Sequence, residues 1–221
     1  MASTPYRPPA NRGLSLLYLS EQLIIVDKPS GLLSVPGRGA GKEDCLSRRV
    51  QAEFPDAMIV HRLDMGTSGI VVMGRGAKAQ RELSLLFQER KVGKRYQALV
   101  DGHWTADVAG EIELPISVDL PNRPKQKVDH VMGRPSLTRY RVLDIGVAHA
   151  VSRIELEPIT GRSHQLRVHM EAMGHPILGD DFYGTPASCV KAERLMLHAC
   201  QIELDHPETG APLRVDCPPP F

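Results

Sequence analysis

The chain has 221 residues, of which 42% are hydrophobic and 24% charged, an ordinary globular composition and a length that buries roughly 70% of the unfolded surface in one sizeable core or two small ones. Lys+Arg number 27 against Asp+Glu 26, a net charge of +1, which excludes an indiscriminate polycation and an acidic disordered tail. Any nucleic-acid surface must therefore be a local basic patch.

In chain order, residues 1 to about 13 are polar and Pro-rich and are expected to form a flexible tail. Leu14–Leu19 and Leu23–Val26 read as a strand pair across Ser20-Glu21-Gln22. Lys28-Pro29-Ser30-Gly31 is a turn, and Pro36 to Lys42 is a Gly-rich loop. Leu46–Phe54 is a short amphipathic helix closed by Pro55, Ile70–Met73 a buried strand, and Ala77–Arg90 a helix with Ala79, Leu83, Leu86 and Phe87 on one face. Tyr96–Val100, Glu111–Ile116, Leu137–Ile145 and Ala148–Leu156 read as strands, and their short links favour antiparallel pairing. Ser163–Met173 reads as a helix ended by Gly174, followed by a loop over His175–Gly184. Leu195–Leu204 and Leu213–Val215 are the last apolar runs. Strands dominate and no regular βαβ alternation persists, so the fold class is α+β with a mostly antiparallel, mixed sheet and flanking helices.

Several chemistries are disfavoured. No apolar run approaches the roughly 20 residues that span a bilayer, and Met1–Pro9 lacks a signal-peptide core; a cytoplasmic protein is expected. Cys45, Cys189, Cys200 and Cys217 are scattered without a C-x-x-C, so free thiols are expected. Gly41-Lys42 fails as a phosphate loop, because Pro36 and Glu43 occupy positions that need Gly and Ser or Thr. Gly74-x-Gly76-x-x-Ala79 follows a strand and opens a helix, the outline of a dinucleotide fingerprint, but the βαβ units that complete such a domain are missing. A tight strand-to-helix turn is the simpler reading. His164 and His169 are five apart and do not share a helical face, so no metal is expected.

Three polar islands remain. His61-Arg62-Leu63-Asp64-Met65-Gly66-Thr67-Ser68-Gly69 lies between Ile59-Val60 and Ile70–Met73. A carboxylate flanked by core strands is either paired or reactive; taken alone, a salt-bridged turn also fits. Thr160 to His169 holds Arg162 and Arg167, where a solvated helix face fits equally. Tyr96, after Lys94-Arg95, opens a strand and fits a core position as well as a site.

Together these segments resemble the RluA family of RNA pseudouridine synthases. The carriers are His61-Arg62-Leu63-Asp64-x-x-Thr67-Ser68-Gly69, Lys94-x-Tyr96, Gly161-Arg162-x-His164-Gln165-Leu166-Arg167-x-His169, Leu197-His198-Ala199 and Asp27-Lys28-Pro29-Ser30-Gly31-Leu32. The likeness covers about residues 14–217. Ser34 to Arg38 and Pro121 to Lys127 resemble the short members of that family, which modify 23S rRNA and tRNA anticodon stem-loops. Longer members carry an N-terminal S4-type RNA-binding domain, which about 13 residues ahead of the first strand cannot hold; a single catalytic domain over 14–221 is expected.

The resemblance implies an isomerase that breaks the C1′–N1 bond of uridine, turns the base and rejoins it through C5, with no cofactor or metal. It implies rRNA and tRNA stem-loops as partners, no protein partner and a monomer. By position, Asp64 matches the essential aspartate, Arg167 its arginine partner and Tyr96 the active-site tyrosine. Leu197 matches an apolar wall of the base pocket, and Arg62 the arginine that fills the space left by the extruded base. His61, Arg162, Arg123 and Lys125 are expected on the substrate side, with Lys91, Lys94, Arg95 and Lys127 available to phosphates. Asp64 needs its ionised form, and burial disfavours a charge unless a cation compensates; an Asp64–Arg167 pair is expected. Two rival readings are an RNA-binding module that lost its chemistry and a nicotinamide enzyme built on Gly74–Ala79.

Overall fold

The computed structural model describes residues 5–104, 108–146 and 150–221. In chain order the elements are β1 (Leu16–Leu19), β2 (Leu23–Lys28), α1 (Leu46–Glu53), β3 (Ala57–Ile59), β4 (Ser68–Arg75), α2 (Gly76–Gln88), β5 (Gly93–Asp101), β6 (Ala109–Glu113), β7 (Ile116–Val118), β8 (Gln126–Val128), β9 (Leu137–Gly146), β10 (Val151–Pro158), α3 (Gln165–Ala172), α4 (Pro186–Val190), β11 (Leu197–Asp205) and β12 (Pro212–Asp216). A 3-10 turn at Leu120–Asn122 joins β7 to β8. Two compact units result: Met1–Gly93 with Ala199–Pro219, and Lys94–His198 with Pro220–Phe221. Both main crossings fall inside continuous strands, β5 and β11, with no linker composition to mark them in the sequence.

In the first unit β2 lies antiparallel between β1 and β4, pairing Leu19 with Ile24 and Lys28 with Gly69. β3 pairs with the far end of β4, and β12 pairs with Gln201–Asp205 of β11. Leu23 to Val26 and Ile70 to Met73 are almost wholly buried. An unbroken apolar run rather than an alternating one is what two covered faces of a strand demand. Helix α2 buries Ala79 and Leu83. Its backbone comes so close to β4 that a Cβ on Gly74 would stand 2.6 Å from the Gln80 nitrogen, while Gly76 takes φ +75 to turn into the helix. Packing thus accounts for the whole Gly-x-Gly-x-x-Ala pattern, as the turn reading expected.

The second unit is built on β5, β10, β9 and β6, neighbours in that order and antiparallel throughout. Along β10 burial alternates strictly, with Ser152, Ile154, Leu156 and Pro158 inward, the period of a sheet with one covered face. Ile154 and Leu156 join Ala98, Val100, Ile112, Ile177, Leu195 and Leu197 in one core, to which α3 contributes Leu166 and Met170. Truncating a leucine such as Leu166 to alanine costs about 2–5 kcal/mol in a packed core.

The expected strand Glu111–Ile116 is two strands. Pro115 has no N–H for a ladder, so β6 ends at Glu113, and Ile116–Val118 turns away to pair with β8. Helix α4 lies beyond the expected loop at 175–184, with Thr185 accepting the Ser188 amide as its cap and Pro186 in its first turn. The expected start of a strand at Ala148 lies outside the described residues. Near the N-terminus, Tyr6 donates its hydroxyl to the Asp44 carbonyl and accepts the Leu33 amide, and Arg49 holds the Pro9 carbonyl.

Candidate active site

In the first unit, Asp64 sits on the loop between β3 and β4. Its neighbours are fixed by side chains from the Lys28–Ser34 segment. Ser34, 4% exposed, accepts the Leu63 amide at 3.1 Å and donates to the Leu63 carbonyl at 2.7 Å. Lys28, fully buried, donates to the carbonyls of Pro29, Leu32 and Met65 at 2.9, 2.7 and 3.1 Å. The Met65 carbonyl also accepts the Gly31 amide, and Ser30 donates to the Gly66 carbonyl at 2.6 Å. A buried ammonium is tolerable here because three carbonyl dipoles replace its water. The result is a braced loop: Leu63 and Thr67 buried, Asp64 half-buried, and Arg62 and Met65 exposed on either side of it.

His61 accepts the Val72 amide at Nε2 (3.0 Å) and stacks on Phe87, with ring centroids 4.4 Å apart. It therefore ties the start of the loop to β4 and α2. At the other end, Gly69 takes φ +108, and a Cβ there would lie 2.3 Å from the Ala199 carbonyl oxygen. Only glycine meets both requirements.

In the second unit, a chain of buried polar groups sets helix α3. Gln165 accepts the Thr160 hydroxyl and the Arg162 amide, and donates to the Leu137 carbonyl and the Thr138 hydroxyl. Thr138 in turn donates to His169 Nδ1 at 2.9 Å, and His169 Nε2 donates to the Leu114 carbonyl at 3.1 Å. Burial holds the His169 pKa below the usual imidazole value. His164 takes a left-handed φ of 55 ahead of the helix, and its Nδ1 is hydrogen-bonded to the Tyr183 hydroxyl at 2.7 Å, which also accepts the Gln126 amide. His164 and His169 thus face different partners.

Arg167 is 4% exposed and forms a bidentate pair with Asp180, which is fully buried: Nε to Oδ2 is 2.8 Å and Nη2 to Oδ1 is 2.6 Å. Its guanidinium carbon stands 5.0 Å from the Phe182 ring centroid and 5.2 Å from that of Tyr183. Tyr96 and Leu197 both contribute to the core of this unit, Leu197 buried and Tyr96 half-buried. Arg162 is half-buried and donates to the Pro135 carbonyl at 3.3 Å. Arg123 is exposed and Lys125 half-buried on the connection between β7 and β8; Val118 and Leu120 before them, and Val131 and Met132 after β8, are exposed.

The first unit therefore gathers His61, Arg62 and Asp64 on one loop, and the second carries Tyr96, Arg123, Lys125, Arg162, Arg167 and Leu197. Sequence reasoning missed Lys28, Ser30 and Ser34 as braces of that loop, and Asp180 as an Arg167 partner. Asp180 was findable, since Asp180-Asp181 sits between Ile177-Leu178 and Phe182-Tyr183, the same carboxylate-among-apolar-residues pattern that singled out Asp64. The four cysteines are free thiols. Burial and the neighbouring Asp27 carboxylate push the Cys217 thiol up to about 12, so it is not a nucleophile at neutral pH.

A family model described as RNA pseudouridylate synthase matches residues 22–172. The chain belongs to the RNA pseudouridylate synthase family. Within that family it is 47% identical, over the full length of both chains, to the dual-specificity RNA pseudouridine synthase RluA of Salmonella typhi. It is 50% identical to the RluA of Yersinia pestis over 206 residues, 93% of this chain and 99% of the relative. Among solved structures, human RNA pseudouridylate synthase domain containing 1 superposes with a TM-score of 0.79 at 30% identity, covering 97% of this chain and 87% of that one. This pseudouridylate synthase is thus an isomerase acting on RNA, and its antiparallel architecture is that of its relatives. No described helix is long and apolar enough to cross a membrane.

Proposed function

We propose that this synthase isomerises specific uridines in both 23S rRNA and tRNA anticodon stem-loops, in the cytoplasm, as a monomer and without a cofactor. The supporting observation is the 47% identity, end to end on both chains, with a relative of dual specificity. In this reading the target base is extruded from its stack, which costs a few kcal/mol and is cheapest from a loop. Arg62, exposed on the braced loop, enters the space the base leaves. Asp64 adds to the sugar or assists departure of the base as the C1′–N1 bond breaks; both roles use the ionised carboxylate, with Arg167 as counter-cation.

The freed uracil turns against Tyr96 and Leu197, and C5 bonds to C1′, displacing the Asp64 oxygen if it has added there; the Tyr96 hydroxyl takes the C5 proton as it gives up its own, and N1 takes up a proton, so none is gained or lost. Arg123, Lys125 and Arg162, with Lys91, Lys94, Arg95 and Lys127, meet RNA phosphates. His61 acts on the substrate side by holding Arg62 and Asp64 in place. The test is pseudouridine mapping on 23S rRNA and tRNA transcripts treated with the protein. New pseudouridines in both RNAs support the reading, and modification of one class alone removes the dual specificity.

A further inference from the structure

Within the second unit, Arg167 is held by a nearby segment of its own chain. A guanidinium is a planar fork with five N–H donors, and a bidentate carboxylate fixes both its position and its plane. Asp180 takes the Nε–Nη2 edge of Arg167 at 2.8 and 2.6 Å. Asp180 is itself immobilised, because its Oδ1 also accepts the amides of Phe182 and Tyr183 at 3.0 and 3.1 Å. Its backbone carbonyl accepts the Gly184 amide and the Cys189 thiol. The rings that follow, Phe182 and Tyr183, lie at cation–π distance from the guanidinium. One short segment thus holds Arg167 by an edge and by its face. By contrast, the adjacent Asp181 touches Nη2 only at 3.4 Å and has a side chain 76% exposed.

We propose that Asp180 is a positioning residue for catalysis, which fixes the plane and charge balance of the Arg167 guanidinium. The proposal rests on the assignment of Arg167 as the counter-cation of Asp64. Two consequences follow from the chemistry. A planar fork gripped on its Nε–Nη2 edge directs its other N–H groups along set lines. A buried guanidinium already offset by one carboxylate also binds a second carboxylate less tightly than a bare cation does, which leaves the second one reactive rather than locked in an ion pair.

The test compares Asp180→Asn, Asp181→Asn and wild type in single-turnover pseudouridine formation on a tRNA stem-loop and a 23S rRNA fragment, with RNA affinity measured separately. A misplacement of about 1 Å costs on the order of 10²-fold in rate. Asp180→Asn is therefore expected to slow the single-turnover step by that order while RNA affinity changes less than about threefold, with Asp181→Asn unchanged. In an Arg167→Lys background, which has no planar fork to orient, adding Asp180→Asn should cost far less than it does alone.

Should Asp180→Asn fail to fold, Phe182→Leu removes one face of the clamp and is expected to slow the same step several-fold at unchanged affinity. An Asp180→Asn protein, or failing that Phe182→Leu, that melts earlier yet isomerises at the wild-type rate overturns the proposal and leaves Asp180 structural. Additive losses in the double variant also overturn it. A wild-type protein that forms no pseudouridine in either RNA removes the underlying reading instead.

Discussion

Replacing Ser34 by alanine deletes one oxygen that does two things to the residue before Asp64. That hydroxyl accepts from the Leu63 amide and donates to the Leu63 carbonyl. Alanine leaves both backbone groups without that partner at a site where serine is 4% exposed. An orphaned buried polar group costs roughly 1–3 kcal/mol, so two cost about 2–4 kcal/mol once partial relaxation is allowed. For a chain of this length each kcal/mol lowers Tm by about 2–4 °C, which gives a drop of about 4–16 °C. The catalytic effect is larger in proportion. A loop released at Leu63 lets Asp64 wander, and the single-turnover rate should fall ten- to a hundredfold, by the sensitivity of about 10²-fold per ångström. Scanning calorimetry and rapid-quench isomerisation on one stem-loop read the two effects. Ser30→Ala, which removes only the bond to the Gly66 carbonyl, should show a smaller version of both. A Ser34→Ala protein with unchanged Tm and a rate within twofold of wild type would refute the idea that this hydroxyl braces the loop.

Gly69→Ala should destabilise by at least about 3 kcal/mol, because the new Cβ meets the Ala199 carbonyl oxygen at 2.3 Å in a left-handed backbone; a soluble variant with wild-type Tm contradicts that packing. His169 gives a pH signature. Burial lowers its folded pKa below 6.5, so the unfolded chain binds the proton more readily. Its stabilising contribution is full above pH 6.5 and is lost as pH falls below that value toward the folded pKa. Tm should therefore drop more steeply from pH 7 to 5 in wild type than in His169→Gln, and equal slopes refute the assignment.

Much of this protein is legible in its sequence because its signals are local. The apolar run Leu23–Val26 and the alternation along β10 reflect how many faces each strand buries, and both can be read residue by residue. Asp64 stood out because a carboxylate between core strands needs a reason. What escaped was set by partners far along the chain. Ser34 is an unremarkable hydroxyl until the loop carrying Leu63 folds over it, 29 residues away. Asp180 earns its role only when α3 brings Arg167 to it across 13 residues. The β7–β8 hairpin has strands of three residues each, too short for periodicity to register. The division into two units is invisible because the crossings lie inside strands β5 and β11.

The most direct test of the account concerns Asp64 itself. Asp64→Asn keeps the side chain's size and removes its charge and nucleophilicity. Mass-spectrometric or chemical mapping after a single turnover should find no pseudouridine, while RNA affinity and Tm stay close to wild type. Pseudouridine formed by Asp64→Asn at the wild-type rate contradicts the central claim that this carboxylate carries the isomerisation.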